Sequence, residues 1–137
     1  MKNNHRSGQA LLEFALVISL CALLLGGTLE FGRTWSAAQV LAGATRDGAR
    51  AAAVVPASQR MTVATARVQS AAAAYFAPSA LAVSVTSGTT AGGEPIVTIG
   101  VTGRMTPLFG STILPAVSNL FTLFRSATMR DELTPGP

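Results

Sequence analysis

The sequence predicts an α+β fold: a long N-terminal helix that crosses a membrane, and a second helix packed on a small three-stranded antiparallel sheet. Three observations predict it. An apolar run starts at Gln9, the helical pattern continues past that run to Pro56, and the later half carries alternating apolar and polar segments bounded by glycine and proline.

The first element is QALLEFALVISLCALLLGGTL, residues 9–29, about 20 residues with one charge, which matches a hydrocarbon core about 30 Å thick. Lys2, His5 and Arg6 precede it with no acidic residue, so the positive-inside rule sets the N-terminus in the cytoplasm and exports the body. Arg33, soon after the run, narrows that charge difference. A secretory signal has a similar start, but its apolar core is shorter and ends at a cleavage site. Here the pattern runs on through GRTWSAAQVLAGATRDGARAAAVV. One helix over residues 9–55 would be about 70 Å long, of which less than half fits in lipid. Gly26 and Gly27 mark the place for a bend, and Trp35 suits the membrane interface or a position beneath the domain. Small residues four apart (Ala22 and Gly26, Ala44 and Gly48, Ala49 and Ala53) permit close helix approach.

After Pro56, a second helix is expected over 57–77, capped by Ser58, with Met61, Ala64, Val68, Ala71 and Tyr75 near one face and Pro78 closing it. Residues 78–132 form the β-rich head. LAVSVTS and PIVTIGVTG make a hairpin around GTTAGGE, and FTLFRSATMR is a third strand with Phe121, Leu123, Ala127 and Met129 on one side, interrupted by Arg125. Between them TPLFGSTILPAVSNL reads as an irregular crossover with a helical turn. Its Leu108, Phe109, Ile113 and Leu114 serve the core or, if exposed, a partner or membrane contact. Residues 133–137 read as a disordered tail.

Composition agrees with this architecture. In 137 residues, enough for one domain, 49% are hydrophobic and 12% charged, and the mean hydropathy is +0.44, too apolar for a freely soluble chain. The net charge of +4 comes from scattered arginines without interleaved aromatics, so nucleic acid is not an expected partner. Cys21, the sole cysteine, rules out an intrachain disulfide and a multi-cysteine metal site. His5 is the sole histidine, and the six acidic residues are dispersed apart from Asp131 and Glu132. No nucleophile–base pair, metal cage or phosphate-cradling glycine loop is legible, so neither an enzyme nor a cofactor or metal is expected.

Glu13 is the residue that demands a chemical account. A carboxylate in a membrane helix costs about 2.5 to 3.5 kcal/mol at mid-bilayer, less near an end, and calls for a named partner. Cutting the chain between Gly8 and Gln9 would create a protonated α-amino group one helical turn from Glu13. In a bundle, the carboxylate of one subunit could then neutralise the amine of the next. The simpler alternative is that Glu13 snorkels to the headgroups.

The short basic leader 1–8 ending in Gly8, with Glu13 at the fifth position beyond it, resembles a type IV pilin signal. GQALLEFALVISL, then LEFGRTWSAAQVLAGATRDGARAAAV, then LFRSATMRDE resemble the TadE-like family of minor pilins and pseudopilins of tight-adherence (Flp-type) pilus systems. The matching residues are Gly8, Gln9, Ala10, Glu13 and Phe14; Glu30, Phe31, Gly32 and Arg33; and Arg46, Gly48, Ala49 and Arg50. Asp47 stands where that family more often has glutamate, and beyond about Ala57 only the general character agrees. The resemblance implies a type IV pilin-like fold and cleavage by a prepilin peptidase at Gly8 and Gln9. It also implies assembly with other pilin-like subunits through an inner-membrane platform and an assembly ATPase.

Glu30 and Arg33, like Asp47 and Arg50, stand three apart and so can pair on one helix face, contributing a few tenths of a kcal/mol. Alternatively, Arg33, Arg46 and Arg50 meet acidic groups of neighbouring subunits. Two other classes stay open at this level: a secreted adhesin-like binding module acting through its head, and a membrane-anchored accessory protein that is never cut.

Overall fold

The computed structural model describes residues 4–108 and 121–133, with side chains from Gly8 onward. Its elements are helix α1 (Asn4–Ala53), helix α2 (Ala57–Ala72), a 3-10 turn (Pro78–Ala80) and strands β1 (Leu81–Thr89), β2 (Pro95–Arg104) and β3 (Thr122–Arg130). The strands form one antiparallel sheet in the order β1-β2-β3. This is the expected α+β class, with its long apolar N-terminal helix, second helix and three-stranded sheet. The chain divides into two compact units, Met1–Arg33 and Thr34–Pro137.

α1 starts at Asn4 rather than Gln9, and it runs through Gly26 and Gly27 without interruption. Ala22, Leu23, Leu24 and Leu25 before the two glycines and Leu29 and Glu30 after them are good helix formers that keep the helix intact at that point. The helix stops before Pro56, whose fixed φ of −56° and extended ψ of 150° turn the chain into α2. Ser58 is not the cap: α2 starts at Ala57 without a side-chain capping bond, and Gln59 N–H donates to the Pro56 carbonyl at 2.9 Å.

The second unit is organised around small residues. Ala37, Leu41, Ala44, Ala49 and Ala52 of α1 are buried against Ala64, Val68 and Ala72 of α2, Phe76, and Val97, Ile99 and Val101 of β2. Leu81, Val83 and Val85 of β1, with Phe121, Leu123, Ala127 and Met129, pack at the margins, as the strand alternation predicts. β2 is the most enclosed strand because it is central, and full burial of a side chain such as Ile99 contributes about 1.5–3 kcal/mol.

The inner face of α2 differs from the expected one. Arg60, Ala64, Val68 and Ala72 are its buried residues, whereas Met61 and Tyr75 are exposed and so is Ala71. α2 also ends earlier than expected. Tyr75 and Phe76 N–H groups both fold back to the Ala72 carbonyl, and Phe76 then packs against Gly103, where an added Cβ would sit 2.6 Å from the ring.

The hairpin loop is tied by Thr90: its N–H donates to the Glu94 carbonyl at 2.8 Å, and its hydroxyl accepts from Glu94 N–H at 3.1 Å. Gly93 supplies the left-handed φ of 83° that this loop requires. Of the expected crossover, Phe109, Ile113 and Leu114 lie outside the described residues, as does the tail beyond Leu133. Leu108 is exposed.

Candidate functional site

From Gln9 to Leu29 the large apolar side chains of α1 are exposed, with no cover among the described residues. Leu11, Leu12, Phe14, Leu16, Leu23, Leu25, Leu29 and Phe31 each keep about two thirds of their surface exposed. These positions lie all around the helix, so it is apolar on every side rather than amphipathic. Backbone polar groups are satisfied along the helix itself, and two hydroxyls join them: Ser19 donates to the Ala15 carbonyl at 2.7 Å and Thr28 to the Leu24 carbonyl at 2.8 Å. Such a segment meets the two demands of a hydrocarbon solvent, an apolar surface and no orphan polar group. Among the described residues, one helix is long and apolar enough to cross a membrane, and this is it.

Glu13 interrupts that surface. It is exposed, and no ion pair or hydrogen bond engages it among the described residues. Gln9 stands one turn before it and Phe14 beside it, both exposed. At Gly8 the backbone is helical, and an added Cβ would meet nothing within 4 Å. The fold of the chain therefore places no demand for glycine there.

The next motif, Glu30-Phe31-Gly32-Arg33, forms the expected local pair: Arg33 Nη1 lies 3.5 Å from Glu30 Oε1, with side-chain exposures of 30% and 14%. Phe31 points outward at 71% exposure. Trp35 is 60% exposed, so its ring is not buried beneath the domain.

The third motif, Arg46-Asp47-Gly48-Ala49-Arg50, has two faces. Gly48 and Ala49 turn inward; a Cβ at Gly48 would lie 2.8 Å from Val68 Cγ2, so glycine lets α1 and α2 approach here. Arg46, Asp47 and Arg50 turn outward. Asp47 Oδ1 and Arg50 Nη1 are 3.7 Å apart with most of both side chains exposed, a separation and setting in which ion pairs contribute little. The sequence-predicted residues thus occur as local pairs along α1 rather than as one convergent cluster.

One charged pair was not legible in the sequence. Arg60 of α2 and Asp131, just after β3, meet at 2.6 Å with side-chain exposures of 6% and 4%. The Arg60 guanidinium also donates to the Ser87 hydroxyl at 3.1 Å and the Val55 carbonyl at 3.3 Å. Asp131 N–H donates to the Pro95 carbonyl and Glu132 N–H to the Ala53 carbonyl. The cluster joins α2, β1, the α1–α2 corner and the segment after β3. Burying an arginine requires this degree of pairing, because an isolated buried charge is prohibitively unstable. Only a signal from long-range contacts could have found it, since 71 positions separate the partners.

Among the described residues, no three His, Cys, Asp or Glu side chains gather where they could hold a metal ion. The geometry fits a membrane-anchored, pilin-like α+β protein: an exposed apolar helix in one unit and a small packed α+β body in the other. The model of the TadE-like protein family matches residues 8–50, the family that the leader and the two arginine motifs resemble. That match spans less than half of the chain and supports a pilin-like protein associated with the tight-adherence pilus. No curated protein and no solved structure matches the chain.

Proposed function

We propose that this chain is a minor pilin or pseudopilin-like structural subunit of a tight-adherence type IV pilus or a related secretion apparatus. It is inserted in the bacterial inner membrane with its N-terminus cytoplasmic and its body exported, cut after Gly8 by a prepilin peptidase, and assembled through its N-terminal helix. The observation that carries this reading is the all-round exposed apolar helix with a lone carboxylate at Glu13, inside the TadE-like segment.

The physical chain is short. In the membrane, lipid covers the apolar residues. Leaving lipid is possible without an aqueous penalty only if equally apolar helices of other subunits take the place of acyl chains. Packing alone between smooth apolar helices leaves their axial register loose. A charge pair between the new Gln9 α-amino group and Glu13 of an adjacent subunit fixes that register, because in low dielectric an unpaired carboxylate is strongly disfavoured. Gly8 serves the peptidase rather than the fold, in keeping with the open space around it. Arg33, Arg46 and Arg50 contribute contacts to acidic groups on neighbouring pilin-like subunits, and the platform protein receives the helix in the membrane.

The test is the N-terminus of the protein recovered from assembled material, read by mass spectrometry. A chain beginning at Gln9 is expected. A start beyond about residue 26 would indicate ordinary signal-peptidase release, and an intact leader in assembled fibres would overturn the proposal. Replacing Gly8 with a bulky residue should abolish the cut.

A further inference from the structure

α1 and α2 leave a groove between them on the second unit, lined by Asp47, Arg50 and Ala51 from α1 and Arg67, Ser70 and Ala71 from α2. We propose that this groove is the docking site for a carboxylate-bearing segment of another subunit of the same assembly; the proposal rests on the assembly reading above.

Charge decides the occupant. Two guanidiniums, Arg50 and Arg67, and one carboxylate, Asp47, line the groove; Asp47 stands 3.7 Å from Arg50 in an exposed ion pair, so the lining keeps one positive charge in excess. Arg67 has no ion-pair or hydrogen-bond partner among the described residues. Arg46 is exposed one turn before Arg50 on α1 and adds positive charge to the same helix face. The excess positive charge, carried on two helices, favours an incoming carboxylate over a neutral or cationic segment. Arginine's planar fork binds a carboxylate through two parallel hydrogen bonds, and the Ser70 hydroxyl offers one more donor.

The rest of the lining points to a protein segment. Its apolar residues are Ala51 and Ala71, which let a backbone come close but give no wedge for a lipid surface, where large apolar side chains are needed beside the basic ones. No aromatic residue lines it, so it lacks a platform for stacking bases. The sequence pattern revealed only the α1 half of this site; Arg67 joins it through the α1–α2 packing set by Gly48 and Val68.

The experiment places the photo-cross-linker p-benzoylphenylalanine at Ser70 of the full-length chain in cells that build the assembly, and maps the adduct by mass spectrometry. The expected adduct falls in an Asp- or Glu-bearing segment of another subunit. It drops about tenfold or more when Arg50→Glu and Arg67→Glu are combined, and survives Arg50→Lys with Arg67→Lys, which keeps the charge. Any of three results overturns the groove proposal in a chain that is assembled and begins at Gln9: an adduct to lipid or to a segment without carboxylates, an adduct indifferent to charge reversal, or no adduct at all. Assembled chains that retain the leader overturn the assembly reading, and this proposal with it. The N-terminal mass read from the same sample tells the two failures apart.

Discussion

The two units handle apolar side chains in opposite ways. In Met1–Arg33 the large ones, Leu16, Leu23 and Leu25 among them, are exposed, with nothing among the described residues to cover them. In Thr34–Pro137 the core is built from alanine, valine and a few larger residues, and its two most deeply buried opposite charges hold each other. The difference teaches that the second unit buries its own core, whereas under the proposed function the first is completed from outside, by lipid or by other helices. A given substitution should therefore affect stability in the second unit and location or assembly in the first.

Several substitutions break or sharpen this contrast. Asp131→Ala should have the largest effect, destabilising the second unit by about 3–5 kcal/mol because Arg60 is left buried without its counter-charge. Chemical denaturation of the detergent-solubilised chain measures it. Pairing it with Arg60→Leu should recover much of that loss, since the unpaired charge disappears. Leu41→Ala, at a fully buried site, should cost about 2–5 kcal/mol in the same assay. Gly48→Val forces side-chain atoms into Val68, already 2.8 Å from the position of a Cβ; about 1–3 kcal/mol is expected. Asp47→Ala, removing an exposed pair, should change stability by less than about 0.5 kcal/mol. Leu23→Ala in the first unit should leave the denaturation midpoint of the second unit unmoved, although it removes a larger apolar surface than many core changes do. A shift as large as that of Leu41→Ala would show that the two units do not differ in the way described.

Much of this contrast could be read from residue order, because periodicity is a local property. The long apolar run, the helical continuation to Pro56 and the three alternating strands all depend on neighbours within a few positions. The α2 face shows where such reading stops. An apolar count selects Met61, Ala64, Val68, Ala71 and Tyr75, yet the buried stripe is Arg60, Ala64, Val68 and Ala72. An arginine can open a buried stripe only if a distant acid neutralises it, and nothing near Arg60 announces Asp131. The α1 start and the α2 end were displaced for a related reason. Residues 4–8 hold no proline to stop α1 short of Gln9, and the early end of α2 goes with the packing of Phe76 on Gly103, another long-range contact. The local ion pairs were legible because they are three residues apart, while the basic groove was only half visible because Arg67 belongs to another helix.

The central claim is that the first unit is covered by neighbouring subunits in the assembly and that Glu13 sets their register. Glu13→Ala compared with the unchanged protein, measured as the amount in the membrane fraction and the amount in purified assembled fibres, tests it most directly. Membrane insertion at the unchanged level with strongly reduced incorporation into fibres is the result expected. Incorporation of the Glu13→Ala protein at the unchanged level would contradict the charge-pairing account.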